Sequence, residues 1–411
     1  MHPTDSPALS MSPTLTEQPT PHQWPMGFQA AGGTAGLKPS GRPDVALLLC
    51  DGPRHACAAI FTTNLVQAAP VRLSRAHLLA AHGRCSALFI NSGCANAATG
   101  PEGDRRASLV TTSVAAALGL QPTAVLHNST GVIGVQLDTD KVAAAIPGLL
   151  SRLAAGSVEP FATGILTTDT HLKSSSVRVT DSQGRSATVT GAVKGAGMIH
   201  PNMATLIGTI TTDATLEPEA LDRILRAAVD RSFHRISIDG DTSTNDAVFS
   251  FASGARPAID EASLQEAFTT VALSLARQVV MDAEGYERGL EVVVRGAPSQ
   301  ADALQVARTV GQSLLVRTAI TGGDPNWGRI LAAMGRAGVV FDPAKACVTA
   351  NGLPLFTDGA PAPTPREQLR QAFSSPHVTL EIDLHAGAGA DRFLTCGLTK
   401  AYVEFNAEYT T

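Results

Sequence analysis

Aromatic residues make up only 4% of the 411 positions, so the core must be assembled mainly from alanine, valine, leucine and isoleucine. Charge is sparse as well. With 16% charged residues, a formal charge of −5 and no dense lysine or arginine stripe, the chain has no electrostatic footprint for nucleic acid. No run is long and apolar enough to span a bilayer, and the start lacks the basic and apolar regions of a signal peptide. The six cysteines, Cys50, Cys57, Cys85, Cys94, Cys347 and Cys396, form no CxxC pair and mostly lie in apolar runs. They are expected to be reduced, buried thiols of a cytoplasmic protein rather than disulfides or zinc ligands. The eleven histidines offer no HxxxH pair; His77 and His82, five apart, fall on different helix faces. No metal is expected. A GxSxG elbow is missing, and the clusters "AGGTAG" and "GAVKGAG" lack the companions of a P-loop or dinucleotide fingerprint, so they read as turns.

What is present is a globular pattern, 44% hydrophobic, in a chain long enough for two or three domains. Strand-like runs such as "DVALLLC", "ALFINSG", "ATVTGAV", "ATLIGTI", "HRISIDGD", "LEVVVRG", "AGVVF" and "AYVEFNAEY" recur, often in pairs or threes. Helical spacing predicts helices over 104–120, 138–156, 215–233, 263–283 and 364–373. Strands grouped between helices predict an α+β fold, a layered sandwich rather than a doubly wound parallel sheet. Residues 1–24, rich in Pro, Ser and Thr, are expected to be a disordered tail, with Met11 or Met26 as alternative starts. A break at Gly285–Gly289 divides a catalytic domain, 25–285, from a smaller α/β domain, 286–411.

Small hydroxyls and amides gather where strand-like runs end, in "INSGCANAATG", "HNSTGVIG", "GILTTDT" and "IDGDTSTNDAV". Each alone is turn chemistry. Together they could supply the donors that stabilise an oxyanion. The acidic loop Asp239–Asp246 lacks the glycine and terminal glutamate of an EF-hand and reads as a capped turn. Midway along the chain, "KGAGMIHPNMATLIGTITTDA" runs from flexible glycines through Pro201-Asn202 into an apolar run headed by Thr205. A threonine hydroxyl is a weak nucleophile unless a base adjoins it, and an N-terminal threonine carries its own base in its α-amine. Cleavage of the Ala204–Thr205 bond, by attack of the hydroxyl on the preceding carbonyl, would create that arrangement.

That stretch closely resembles the self-cleavage signature of the ornithine acetyltransferase family, also called glutamate N-acetyltransferase. "GFQAAGGTAGLKPSGRPDVALL", "NSGCANAATG", "HNSTGVIG", "ILTTDT", "DGDTSTND", "GGDPNWGRI" and "AYVEFNAEYTT" resemble further family blocks in family order, from about Pro25 to Thr411. The resemblance implies an enzyme of arginine biosynthesis that moves acetyl from N-acetyl-ornithine to glutamate, with acetyl-CoA as a further donor in some members and no cofactor. It implies a fold like that of Thr-dependent self-processing (Ntn-like) hydrolases, with the C-terminal segment returning to the active site. The precursor would cut itself into an α chain, 1–204, and a β chain, 205–411, which stay together as α2β2 or larger. Thr205 matches the nucleophile, Thr130 and Gly131 the oxyanion hole, and Thr167, Lys194, Glu284, Asn406 and Thr411 the substrate contacts. Lys194 suits a substrate carboxylate and Glu284 the amino group of ornithine. The chain departs from the pattern at Tyr286-Glu287-Arg288, at Cys94 and at His200. The alternative is a self-processing aminopeptidase or amidase of related fold, which would pass the acyl group to water.

Overall fold

The computed structural model describes residues 13–201 and 206–408, whose strands form three sheets. The central sheet runs in the order Thr14–Glu17, Lys173–Thr180, Ser186–Lys194, Ile207–Ala214, Ala247–Arg256, Ala56–Phe61. Only its neighbours Ile207–Ala214 and Ala247–Arg256 run parallel, with Ala247 opposite Ile207. All eight residues of Ile207–Ala214 are buried, which is why that strand reads as an unbroken run rather than an alternation. A second sheet orders Phe28–Gly33, Val45–Cys50, Ala87–Cys94 and Val125–Val132.

The two sheets face each other across a core in which Ala192, Ile207, Phe249 and Phe251 of the first meet Phe28, Leu48, Ile90 and Leu126 of the second. Outside the central sheet pack the helices Pro218–Arg231 and Glu261–Met281. Outside the second pack Gly100–Leu118 and Thr139–Leu150. The layers therefore run helix, sheet, sheet, helix, an α+β sandwich. Alanine and valine dominate the filling, consistent with the shortage of aromatic rings. Residues from Gly289 onward build the third sheet, in which Gly289–Ala297 lies between His377–Asp383 and Gly389–Cys396, over a core of its own against the helices Gln300–Gly311, Leu314–Thr321 and Trp327–Gly335.

Three local expectations are corrected. The described part of the expected tail is ordered: Thr14–Glu17 pairs with Lys173–Thr180, and Trp24 is buried edge-on against Phe161 at 5.5 Å. The threonines of "TLTE" suit an edge strand and cover backbone groups that the sheet would otherwise leave open. "AYVEFNAEY" is the helix Lys400–Glu408 rather than a strand, because the Thr399 hydroxyl accepts from the Tyr402 amide at 3.0 Å and caps its first turn. "AGVVF" and "HRISIDGD" form no strand: Gly338, at φ +76°, turns the chain out of a helix, and Ile236 makes only an isolated bridge to Leu394. All six cysteines are free, and all but Cys347 are buried. No helix among the described residues is long and apolar enough to cross a membrane.

Candidate active site

Where the central and second sheets end together, a cleft of about 140 Å³ opens. Its walls come from distant parts of the sequence: Thr130 and Gly131 end one strand, Thr167 and Thr168 lie in a loop, and Lys194 ends another strand. Gly197 and Met198 follow in the glycine-rich approach, and Asp239, Asp241 and Asn245 lie in the acidic loop. Glu284, Tyr402 and Asn406 close the other side. Six residues picked from the sequence, Thr130, Gly131, Thr167, Lys194, Glu284 and Asn406, thus share one space. Ala204, Thr205 and Thr411 lie outside the described residues. Leu206 is described: its carbonyl accepts the Ala247 amide at 3.1 Å, and the next residue, Ile207, is the register partner of Lys194.

The backbone at Thr130–Gly131 is held in an irregular stretch of the parallel pairing with Ala87–Cys94. Gly131 has φ +128°, and a Cβ there would collide with the Gly93 and Cys94 backbone, so the position takes only glycine. Lys194 is buried, and its Nζ donates to Thr130 Oγ1 at 3.3 Å. Burial lowers its pKa, while the carboxylates of Asp169, Glu284 and Asp246 work to keep it charged. Asp169 receives the Gly195 amide at 2.6 Å and the Thr167 amide at 3.0 Å. Burial works against its ionisation, but Lys194, Lys173 and these amides prevail and hold it below the usual carboxylate range.

The cleft also carries acidic side chains, Asp239, Asp241 and Glu284. Asp239 accepts the amides of Met198 at 2.6 Å and Ile199 at 2.9 Å, which fixes Met198 at φ +57°. Burial pushes Asp239 up to about 6. Asn406 Nδ2 donates to Glu284 Oε2 at 3.1 Å, and Gly197 makes room for that carboxylate, since a Cβ there would strike it. Burial and the neighbouring carboxylates push the Tyr402 hydroxyl up to about 12. The acidic loop is a capped turn, as its composition indicates, and it is also a wall of the cleft. The sequence carried the signal, carboxylates gathered in a polar loop before the strand Ala247–Arg256, but not what they face. No group of three or more His, Cys, Asp or Glu side chains among the described residues could hold a metal.

The positions expected to depart from the family pattern do not line this space. Gly285, at φ +67°, packs against Tyr402, Tyr286 lies at the third sheet, and Arg288 ties its guanidinium to the carbonyls of Ile320 and Thr321. Cys94 faces the outer helices, its thiol 3.3 Å from the Val135 carbonyl. His200 contacts Ser237 and Gln312 at 3.4 and 3.2 Å, bridging to the third-sheet unit.

A buried ammonium, a glycine-borne turn beside a threonine hydroxyl, and an acidic wall define an enzyme site for a small molecule carrying charges of both signs. Residues 29–411 match the ArgJ family, and the chain belongs to it. The arginine biosynthesis bifunctional protein ArgJ of Thermosynechococcus vestitus is 42% identical over 407 residues, covering 94% of this chain and 96% of that protein. Its namesake in Nitratidesulfovibrio vulgaris is 44% identical over 390 residues, covering 94% and 98%. That of Thermus thermophilus is 42% identical over 391 residues, covering 94% and 99%.

Proposed function

We propose that the chain cuts its own Ala204–Thr205 bond and then transfers acetyl from N2-acetyl-L-ornithine to L-glutamate through an acetyl ester on Thr205. It is an acetyltransferase of arginine biosynthesis acting on small molecules. The observation that carries the reading is the meeting of Thr130, Gly131, Thr167, Lys194, Glu284 and Asn406 in one cleft. The charges of that cleft suit the donor: Lys194 attracts its carboxylate, and Glu284, with Asp239 and Asp241 nearby, attracts its side-chain ammonium.

In the cut, the Thr205 hydroxyl adds to the Ala204 carbonyl, the C–N bond breaks as the C–O bond forms, and the hydroxyl proton ends on the freed α-amine. Water then hydrolyses the ester, leaving a carboxylate on Ala204 and a free threonine hydroxyl. In transfer, the α-amine takes the hydroxyl proton as Oγ attacks the acetyl carbonyl, and the oxyanion is met by donors at Thr130 and Gly131. Collapse breaks the amide, and ornithine leaves with the proton on its α-amine. The unprotonated amine of glutamate then attacks the ester, giving N-acetylglutamate and restoring Thr205. The site must exclude water, or the ester would hydrolyse.

"Bifunctional" in the relatives' name supports a second reaction, in which acetyl-CoA donates the acetyl group to glutamate. Thr411 joins Asn406 as a substrate contact, no cofactor takes part, the α and β chains remain associated as α2β2 or larger, and the enzyme works in the cytoplasm. Purified protein on a denaturing gel should give fragments 1–204 and 205–411, and Thr205→Ala should stay whole and inactive. An uncut but active wild type would sink the mechanism. Acetyl passing from N-acetyl-ornithine to water in preference to glutamate would instead favour the amidase alternative.

A further inference from the structure

Three residues that line the cleft, Thr167, Lys194 and Glu284, come from three separate segments, and a buried ionic cluster behind them touches all three segments. Lys173 donates to Asp169 Oδ1 at 2.7 Å, to Asp282 Oδ2, and to the His171 carbonyl at 3.3 Å, which uses all three of its donors. The side chains of Asp169, Lys173 and Asp282 are 0%, 1% and 6% exposed. Asp169 holds the amides of Thr167 and Gly195, the latter directly after Lys194. Asp282 holds the Thr170 amide at 3.1 Å and lies two residues before Glu284, whose own amide donates to Ala196 at 2.9 Å.

We propose that Lys173 is a positioning residue for acetyl transfer, a buried cation that joins Asp169 to Asp282 and so sets Thr167, Lys194 and Glu284 at the spacing the donor requires. The inference rests on reading the cleft as the acetyl-transfer site. An ion pair this deep is weak evidence of net stabilisation, because desolvation offsets much of the attraction, and its better-attested use is to fix one arrangement. Here the arrangement is the distance between a cationic and an acidic substrate contact. Lys173 touches none of the cleft's contents itself; it lies opposite Val193 in the strand pairing, behind the wall.

Removing Lys173 alone leaves two buried carboxylates short of a cation and tests stability as much as position. The double variant Lys173→Met with Asp282→Asn removes one charge of each sign, and the methionine keeps the apolar stem. It should melt near the wild-type temperature and cut itself fully. Its KM for N-acetyl-ornithine should still stand about tenfold or more above wild type, with a smaller change in kcat. A merely structural cluster predicts the opposite: KM returns to the wild-type value together with the melting temperature, and that result overturns the proposal. If the double variant does not fold, Asp282→Asn alone decides, since it keeps the Lys173–Asp169 pair: a raised KM supports the proposal and an unchanged KM overturns it. A wild type that transfers no acetyl at all defeats the reading of the cleft itself. A wild type that transfers normally beside indifferent variants defeats only the role of Lys173.

Discussion

At the scale of single residues, the cleft is governed by burial acting on charge. Burial pushes Asp239 up to about 6 from an ordinary 3.8, against the pull of the amides of Met198, Asp241 and Ile199. A carboxyl whose folded pKa is raised takes up a proton on folding. The stability this contributes is present in full below about pH 4, falls as pH rises to about 6 and stays lost above that. Asp239→Asn lacks that linkage, so relative to wild type it should be more favourable at pH 7 than at pH 4.5, as measured by urea unfolding midpoints at the two values. Equal differences at both would show that Asp239 does not titrate in this window. Thr130, Gly131 and Lys194 were legible in the sequence because each sits in a short motif. The cluster Asp169–Lys173–Asp282 was not, because Lys173 and Asp282 are 109 positions apart and only the fold brings them into contact. Asp239 was visible as a turn former, and what it faces depends on the closing of two sheets.

At the scale of elements, legibility followed burial. Strands such as Val45–Cys50 and Ala56–Phe61 are almost wholly buried and read as apolar runs, while Glu261–Met281 announced itself by apolar residues at helical spacing. Burial alone did not decide: "HRISIDGD" buries Ile236 and Ile238 without forming a strand, and the last helix misled by being exposed. Lys400–Glu408 buries none of its side chains, so its aromatic and β-branched residues reflect no strand pairing and a single threonine cap decides its form. Caps also fix the long helix whose far end leads to Asp282 and Glu284. There Asp260 accepts the Ser263 amide at 2.8 Å. Asp260→Ala should cost about 1 kcal/mol of stability, seen as a lower melting temperature. KM should be unaffected, because the cap lies at the opposite end of the helix from the cleft. A raised KM would mean that the helix shifts as a rigid rod when its start is loosened.

For the whole molecule, the last helix separates stability from function. A chain ending at Thr399 loses Tyr402 and Asn406 from the cleft but no buried side chain of Lys400–Glu408. It should melt within a few degrees of the full chain, with acetyl transfer reduced about tenfold or more; full activity would remove both Asn406 and Thr411 from the proposed substrate contacts. The central sheet carries a larger consequence. Its strands before position 205 do not sit on one side of those after it: Ser186–Lys194 borders Ile207–Ala214, and beyond Ala247–Arg256 comes Ala56–Phe61, again from the first half. The two halves are woven through one set of hydrogen bonds, and the cleft draws on both. This orders events in time. Under the proposed cut before Thr205, the chain would have to bring both halves together first, so maturation would report a completed fold, and fragments 1–204 and 205–411 made from separate genes would have to thread together during synthesis instead of docking as finished subunits.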